Sequence, residues 1–100
     1  MRTPGVKLGF SIADYAKLHG MGIGSFRLKD GSSIKILQNP EKEIVEFFHV
    51  KAGKLFDGSF YKGEGCIESV AANLTRYEGL AESVEELNKA WAQSMYPSAF

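Results

Sequence analysis

The side chains best suited to covalent or proton-transfer chemistry in this sequence are Cys66, His19 and His49. Cys66 follows Gly63-Glu64-Gly65 at the expected start of a helix, where backbone N–H groups and the helix dipole favour a thiolate. With either histidine as base it has the outline of a nucleophile–base pair, so a small cysteine-dependent enzyme centred on Cys66 is one reading. Glu64 and Glu68 stand nearby and oppose a thiolate. Unpaired cysteine is also among the most buried residue types, which makes an apolar helix–sheet contact the plainer reading. Positions 19, 49 and 66 contain none of the short spacings of zinc sites, so neither a metal nor another cofactor is expected. Gly20-Met21-Gly22-Ile23-Gly24 is as glycine-rich as a phosphate-cradling loop, but such loops follow a strand and open a helix. Here the order is reversed. A helix stop followed by a flexible or bulged strand entrance accounts for these glycines.

Two further sets of residues are suited to binding. Arg27 and Lys35 are expected on the outer face of a hairpin, with Lys29 beside them at its turn. If Phe47, Phe60 or Tyr61 lies open on the sheet, this combination of charge and aromatic surface fits single-stranded nucleic acid. No RNP-type run accompanies it. Phe47, Phe48, Phe60 and Tyr61 form an aromatic set that fits a protein partner instead. The final Ser98-Ala99-Phe100 is compatible with capture by a partner groove, although a tail docked on its own domain is the simpler expectation.

The elements that must position these residues are legible to different degrees. Residues 11–19 read as a short helix with Ser11 as N-cap, Asp14 in the first turn, and Ile12, Tyr15, Ala16 and His19 on one face. Gly20 supplies its stop. Residues 23–29 and 32–38 read as a hairpin with Gly31 in the left-handed position, Phe26 opposite Ile34 and Leu28 opposite Ser32. That register puts Phe26, Leu28, Ile34 and Ile36 on one face, and Ser25, Arg27, Ser33 and Lys35 on the other. Residues 39–53 carry conflicting signals. Asn39-Pro40-Glu41 resembles a helix start closed by Gly53, whereas Ile44, Val45, Phe47, Phe48 and Val50 favour a strand. We read a turn at 39–42 and strands at 43–51 and about 54–61. Residues 66–77 follow as a helix with Ile67, Val70, Ala71, Leu74 and Tyr77 at helical spacing, ended by Gly79. Ser83-Val84-Glu85-Glu86 is a capping box that opens a last helix, with Val84, Leu87, Trp91 and Met95 as its buried stripe and Pro97 as its stop.

The expected fold is therefore α+β: one domain over 1–100, an antiparallel meander of three to four strands, a short N-terminal helix, and two C-terminal helices packed on one face. Twelve Lys+Arg balance twelve Asp+Glu, which argues against a duplex-DNA binder. The neutrality hides a division, because residues 1–62 hold 10 basic and 6 acidic residues while 63–100 hold 2 and 6. Glu64, Glu68, Glu85 and Glu86 sit at or near helix starts, where the dipole favours them, so the negative part has a structural explanation. The single cysteine, the lack of a signal-like N-terminus and the lack of a long apolar run lead us to expect a cytoplasmic chain away from membranes. The sequon Asn73-Leu74-Thr75 falls within a helical pattern and is not expected to be used. With no convincing catalytic constellation, the leading expectation is a non-enzymatic protein-binding module (an inhibitor, adaptor or accessory protein), with a homodimer as one outcome. Single-stranded nucleic-acid binding and the cysteine-dependent enzyme are the alternatives.

Overall fold

The computed structural model describes residues 5–96. Its elements are β1 (Val6–Lys7), α1 (Ile12–Leu18), β2 (Gly22–Arg27), β3 (Ser33–Asn39), β4 (Ile44–Lys51), β5 (Lys54–Lys62), α2 (Cys66–Glu78) and α3 (Val84–Ser94). The strands form one antiparallel sheet in the order β1-β5-β4-β3-β2. The class is α+β as expected, with one strand more than the meander required: the two-residue β1, which pairs Val6 with Leu55 and Lys7 with Lys54. No helix among the described residues is long and apolar enough to cross a membrane.

The β2–β3 hairpin has the expected register, Phe26 opposite Ile34 and Arg27 opposite Ser33, with Gly31 at φ 90°. Asp30 closes this turn by accepting from the Ser32 backbone N–H at 2.9 Å. Segment 44–51 is a strand, and the helix-like start at Asn39 is spent on a turn in which Asn39 Oδ1 accepts from the Lys42 N–H. A two-residue turn at Ala52 (φ 52°) and Gly53 (φ 75°) then reverses the chain into β5. Two residues with φ > 0 mark the turn whose twist matches that of the flanking strands.

β4 is apolar on both faces because both are covered. Phe26, Ile34, Ile36, Val45 and Phe47 pack beneath α2 and α3, which present Val70, Leu74, Tyr77, Leu87 and Ala90. Leu37 and Phe48 point the opposite way and pack against Ala16 and Met21, with Ile12 and Tyr15 of α1 alongside. The second face therefore has a partial lid, α1, while α2 and α3 share the first. Full burial of Phe26 and Phe47 contributes roughly 1.5–3 kcal/mol each.

The expected stripe on α3 needs correction. Val84 is 68% exposed and Met95 is exposed, while Leu87, Ala90 and Ser94 are buried. The helix turns its small residues inward because it lies directly on the β2 backbone. A Cβ on Gly24 would fall 1.7 Å from the Ala90 carbonyl oxygen, and one on Gly22 would fall 1.8 Å from that of Tyr96. The glycines at 22 and 24 thus mark a close approach between strand and helix.

Candidate functional site

The antiparallel register sorts the candidate residues by face. One face carries the rows Ile23–Leu37–Glu46–Phe60, Ser25–Lys35–Phe48–Gly58 and Arg27–Ser33–Val50–Leu55. The other carries Gly22–Gln38–Val45–Tyr61, Gly24–Ile36–Phe47–Ser59 and Phe26–Ile34–His49–Asp57. The partner-binding set Phe47, Phe48, Phe60 and Tyr61 is therefore divided and does not form one patch. Phe47 is 0% exposed beneath the helices. Tyr61 packs against the same core, with its hydroxyl held by the Asn73 amide at 2.5 Å. Phe48 is 7% exposed under the rings of Phe10 and Tyr15, which stand 6.1 and 6.0 Å from it. Phe60 alone is open, at 53%.

Around Phe60 the second face has a shallow apolar groove of about 280 Å³ lined by Glu46, Phe48, Leu55, Gly58, Ser59 and Phe60. α1 covers the sheet beside it. Glu46 is buried there, and Tyr15 Oη donates to its Oε1 at 2.6 Å. Burial lifts the Glu46 carboxyl above its ordinary value, although the Tyr15 bond pulls it down. The Tyr15 phenol is pushed up to about 12, first by burial and then by its bond to that carboxylate. β5 adds a second feature to the groove. Its outer side pairs with β1 only at Lys54 and Leu55, so 57–62 has no strand beyond it among the described residues.

Arg27 and Lys35 share this second face, as their alternation predicts, and Lys29 stands exposed by the turn. Lys35 Nζ donates to Ser25 Oγ at 3.1 Å. Of the aromatics considered for stacking, Phe47 and Tyr61 face the helices, which leaves Phe60 on the side of the basic residues.

The structure does not bring a histidine to Cys66. The thiol is buried at the first position of α2, in a pocket with Ile44 and Val45 at the start of β4. His49 lies near the opposite end of β4, four residues beyond Val45 or about 13 Å along a strand. His19 closes α1 on the far side of the sheet, its ring 4.7 Å from that of Tyr15. Among the described residues, no three His, Cys, Asp or Glu side chains converge to hold a metal. Ser98-Ala99-Phe100 and Pro97 lie outside the described residues.

Sequence reasoning missed a polar cluster at the hairpin end of the helix-covered face. Ser32 Oγ lies 2.5 Å from Asp30 Oδ1 and 2.8 Å from His49 Nε2, beside a pocket of about 200 Å³ that Lys51 and Phe56 also line. The residue types are those of a hydrolase triad, but the order of contacts is not. In a triad the carboxylate orients the histidine. Here it accepts the hydrogen bond from the serine hydroxyl, which leaves His49 Nε2–H as the donor to Ser32 Oγ. Bonds from Ser32 hold the Asp30 carboxyl below its ordinary range, and burial lowers His49. The cluster anchors the turn. The only sequence signal for it was the Asp-Gly-Ser turn itself, since His49 arrives from another hairpin.

A scan against protein-family models finds no match, and neither does a comparison with curated proteins or with solved structures.

Proposed function

We propose that the chain is a small, non-enzymatic protein-binding module that takes up an extended segment of a partner protein along β5, with Phe60 as the apolar anchor. One observation carries this reading: among the described residues, no strand lies beyond the 57–62 edge, which runs beside an exposed phenylalanine and its groove. An extended segment added to a sheet edge gains affinity from main-chain hydrogen bonds and specificity from alternate side chains. Open edges are otherwise kept short or blunted, because they invite pairing. A second copy of the chain is one such partner. The buried, unpaired Cys66 supports a reducing, cytoplasmic setting as part of the same proposal.

Affinity capture with wild type and Phe60→Ser, followed by mass spectrometry and sedimentation, tests it. Phe60 is about half exposed, so Phe60→Ser gives up only part of a phenylalanine's burial, roughly 1 kcal/mol. The expected result is loss of a captured protein or of self-association. An unchanged set of partners and an unchanged mass would sink the reading.

Single-strand nucleic-acid binding is the second reading, favoured by Arg27 and Lys35 on the same face as Phe60. It requires binding that weakens steeply with salt and is lost when Arg27 and Lys35 are both replaced by alanine.

A further inference from the structure

The ladder between β4 and β5 fixes which main-chain groups β5 offers at its outer edge. Hydrogen-bonded and non-hydrogen-bonded pairs alternate along an antiparallel ladder. Gly63 N–H donates to the Glu43 carbonyl at 2.7 Å, which makes Val45–Tyr61 and Phe47–Ser59 the bonded pairs of β4 and β5. The main-chain groups of Gly58, Phe60 and Lys62 therefore point away from β4. Gly58 N–H agrees, since it turns to its own Asp57 Oδ1 at 2.9 Å. These same three residues share the face of the sheet on which Phe60 is exposed.

The edge is complementary to itself. Gly58 carries no side chain, and a Cβ on it would fall 3.6 Å from Phe48 Cδ1 and 4.0 Å from Leu55 Cδ1, so the glycine opens the groove down to Phe48. Glu46 stands in the wall of that groove, and neither of its oxygens is a buried atom lacking a partner. Its Oε1 accepts from Tyr15, a hydroxyl that satisfies one oxygen without neutralising the carboxylate. Lys35, on the neighbouring strand, sends its ammonium to Ser25 instead. The groove thus suits a long apolar stem with a cationic head. Lys62 has both; it is exposed at the end of β5, with no ion pair among the described residues.

We infer that the protein forms a symmetric dimer by antiparallel pairing of β5 with the β5 of a second copy, centred on Phe60, with Lys62 of each copy engaging Glu46 of the other. The inference rests on the reading of β5 as a pairing edge and names its occupant. A two-fold axis normal to the sheet at Phe60 sets same-face residues opposite each other, Phe60 against Phe60 and Gly58 against Lys62. Phe60 N–H and C=O exchange bonds across the axis, and Lys62 N–H donates to the Gly58 carbonyl opposite. The lysine stem enters over Gly58. Its Cα stands about 12 Å from that of Glu46, two strands across and two residues along, within the joint reach of an extended lysine and a glutamate. Lys62 ends β5, so each strand stops before it meets the other copy's β1 at Leu55.

Sedimentation of the full chain over a range of concentrations tests it. A reversible dimer is expected, roughly micromolar for so short an interface and weaker as salt rises. Lys62→Met keeps the stem and removes the charge at an exposed position, while Glu46→Gln keeps an acceptor for Tyr15. Each should weaken the dimer about tenfold, and the two together no more than either alone, because they remove the same contact. Phe60→Ser should abolish it. A chain that is monomeric throughout, or losses that are absent or simply add, would overturn the inference. A monomer that still captures another protein through Phe60 leaves the reading of β5 standing, whereas a dimer indifferent to Phe60→Ser ends both.

Discussion

Gly24→Ala tests how α3 is seated. The added Cβ would stand 1.7 Å from the Ala90 carbonyl oxygen, 2.4 Å from its carbon and 2.7 Å from its Cα. All three are backbone atoms, so no side-chain rotation relieves the clash. To restore ordinary contact near 3.4 Å, helix and strand must separate by roughly 1.7 Å. That movement also loosens Leu87 and Ala90 from the core. Overpacking a tight contact costs about 1–3 kcal/mol, and a rigid backbone neighbour places this one near 3. For about 100 residues, 3 kcal/mol lowers Tm by roughly 12–24 °C. Thermal and urea unfolding followed by circular dichroism measure it. Gly79→Ala is the control, because a Cβ there meets nothing within 4 Å and φ is −69°. It should be neutral or stabilise by up to about 1 kcal/mol. If Gly24→Ala melts within about 4 °C of wild type, α3 does not lie on the β2 backbone and the account of these glycines is wrong.

Tyr15→Phe removes the donor to the buried Glu46 carboxylate and should cost about 1–3 kcal/mol in urea unfolding; a loss below about 0.5 kcal/mol would count against that bond. In the wild type, ultraviolet titration should find one tyrosine ionising only near pH 12, and that late step should vanish in the variant. Burial lowers His49 from its ordinary 6.5, so the unfolded chain takes up this proton before the folded one does. Its contribution is therefore complete above about pH 6.5 and declines with acid until the folded pKa is passed. His49→Asn should flatten the fall in stability from pH 7 towards 6, and an identical slope in both proteins would refute the assignment. Glu46, raised by burial, acts in the opposite sense: its contribution is lost as pH climbs from 4.5 through its folded pKa.

Much of the hairpin was legible because its determinants are local. The alternation of Phe26, Leu28, Ile34 and Ile36 and the left-handed Gly31 agree on one register. Ser11 and Ser83 cap the helices they were expected to cap. The aromatic site was less legible. Neighbouring aromatics on a strand point to opposite faces, so Phe47-Phe48 and Phe60-Tyr61 were never going to form one surface. The Asp30–Ser32–His49 cluster joins two hairpins, and nothing in either one announces the other.

By itself the chain determined its turns, its helix starts and the period of each strand, since these depend on dihedral preferences and on neighbours within a few residues. Tertiary structure decided what covers each face. Segment 44–51 is a strand because α2 and α3 bury one side of it while α1 and its flanking residues bury the other. A local preference cannot choose between helix and strand for a run that is apolar all round; burial on both sides of a sheet can. The same holds for α3. Its apolar spacing pointed to Val84 and Met95, but glycines some seventy residues earlier let Ala90 and Ser94 approach the sheet, and that contact fixed which way the helix faces.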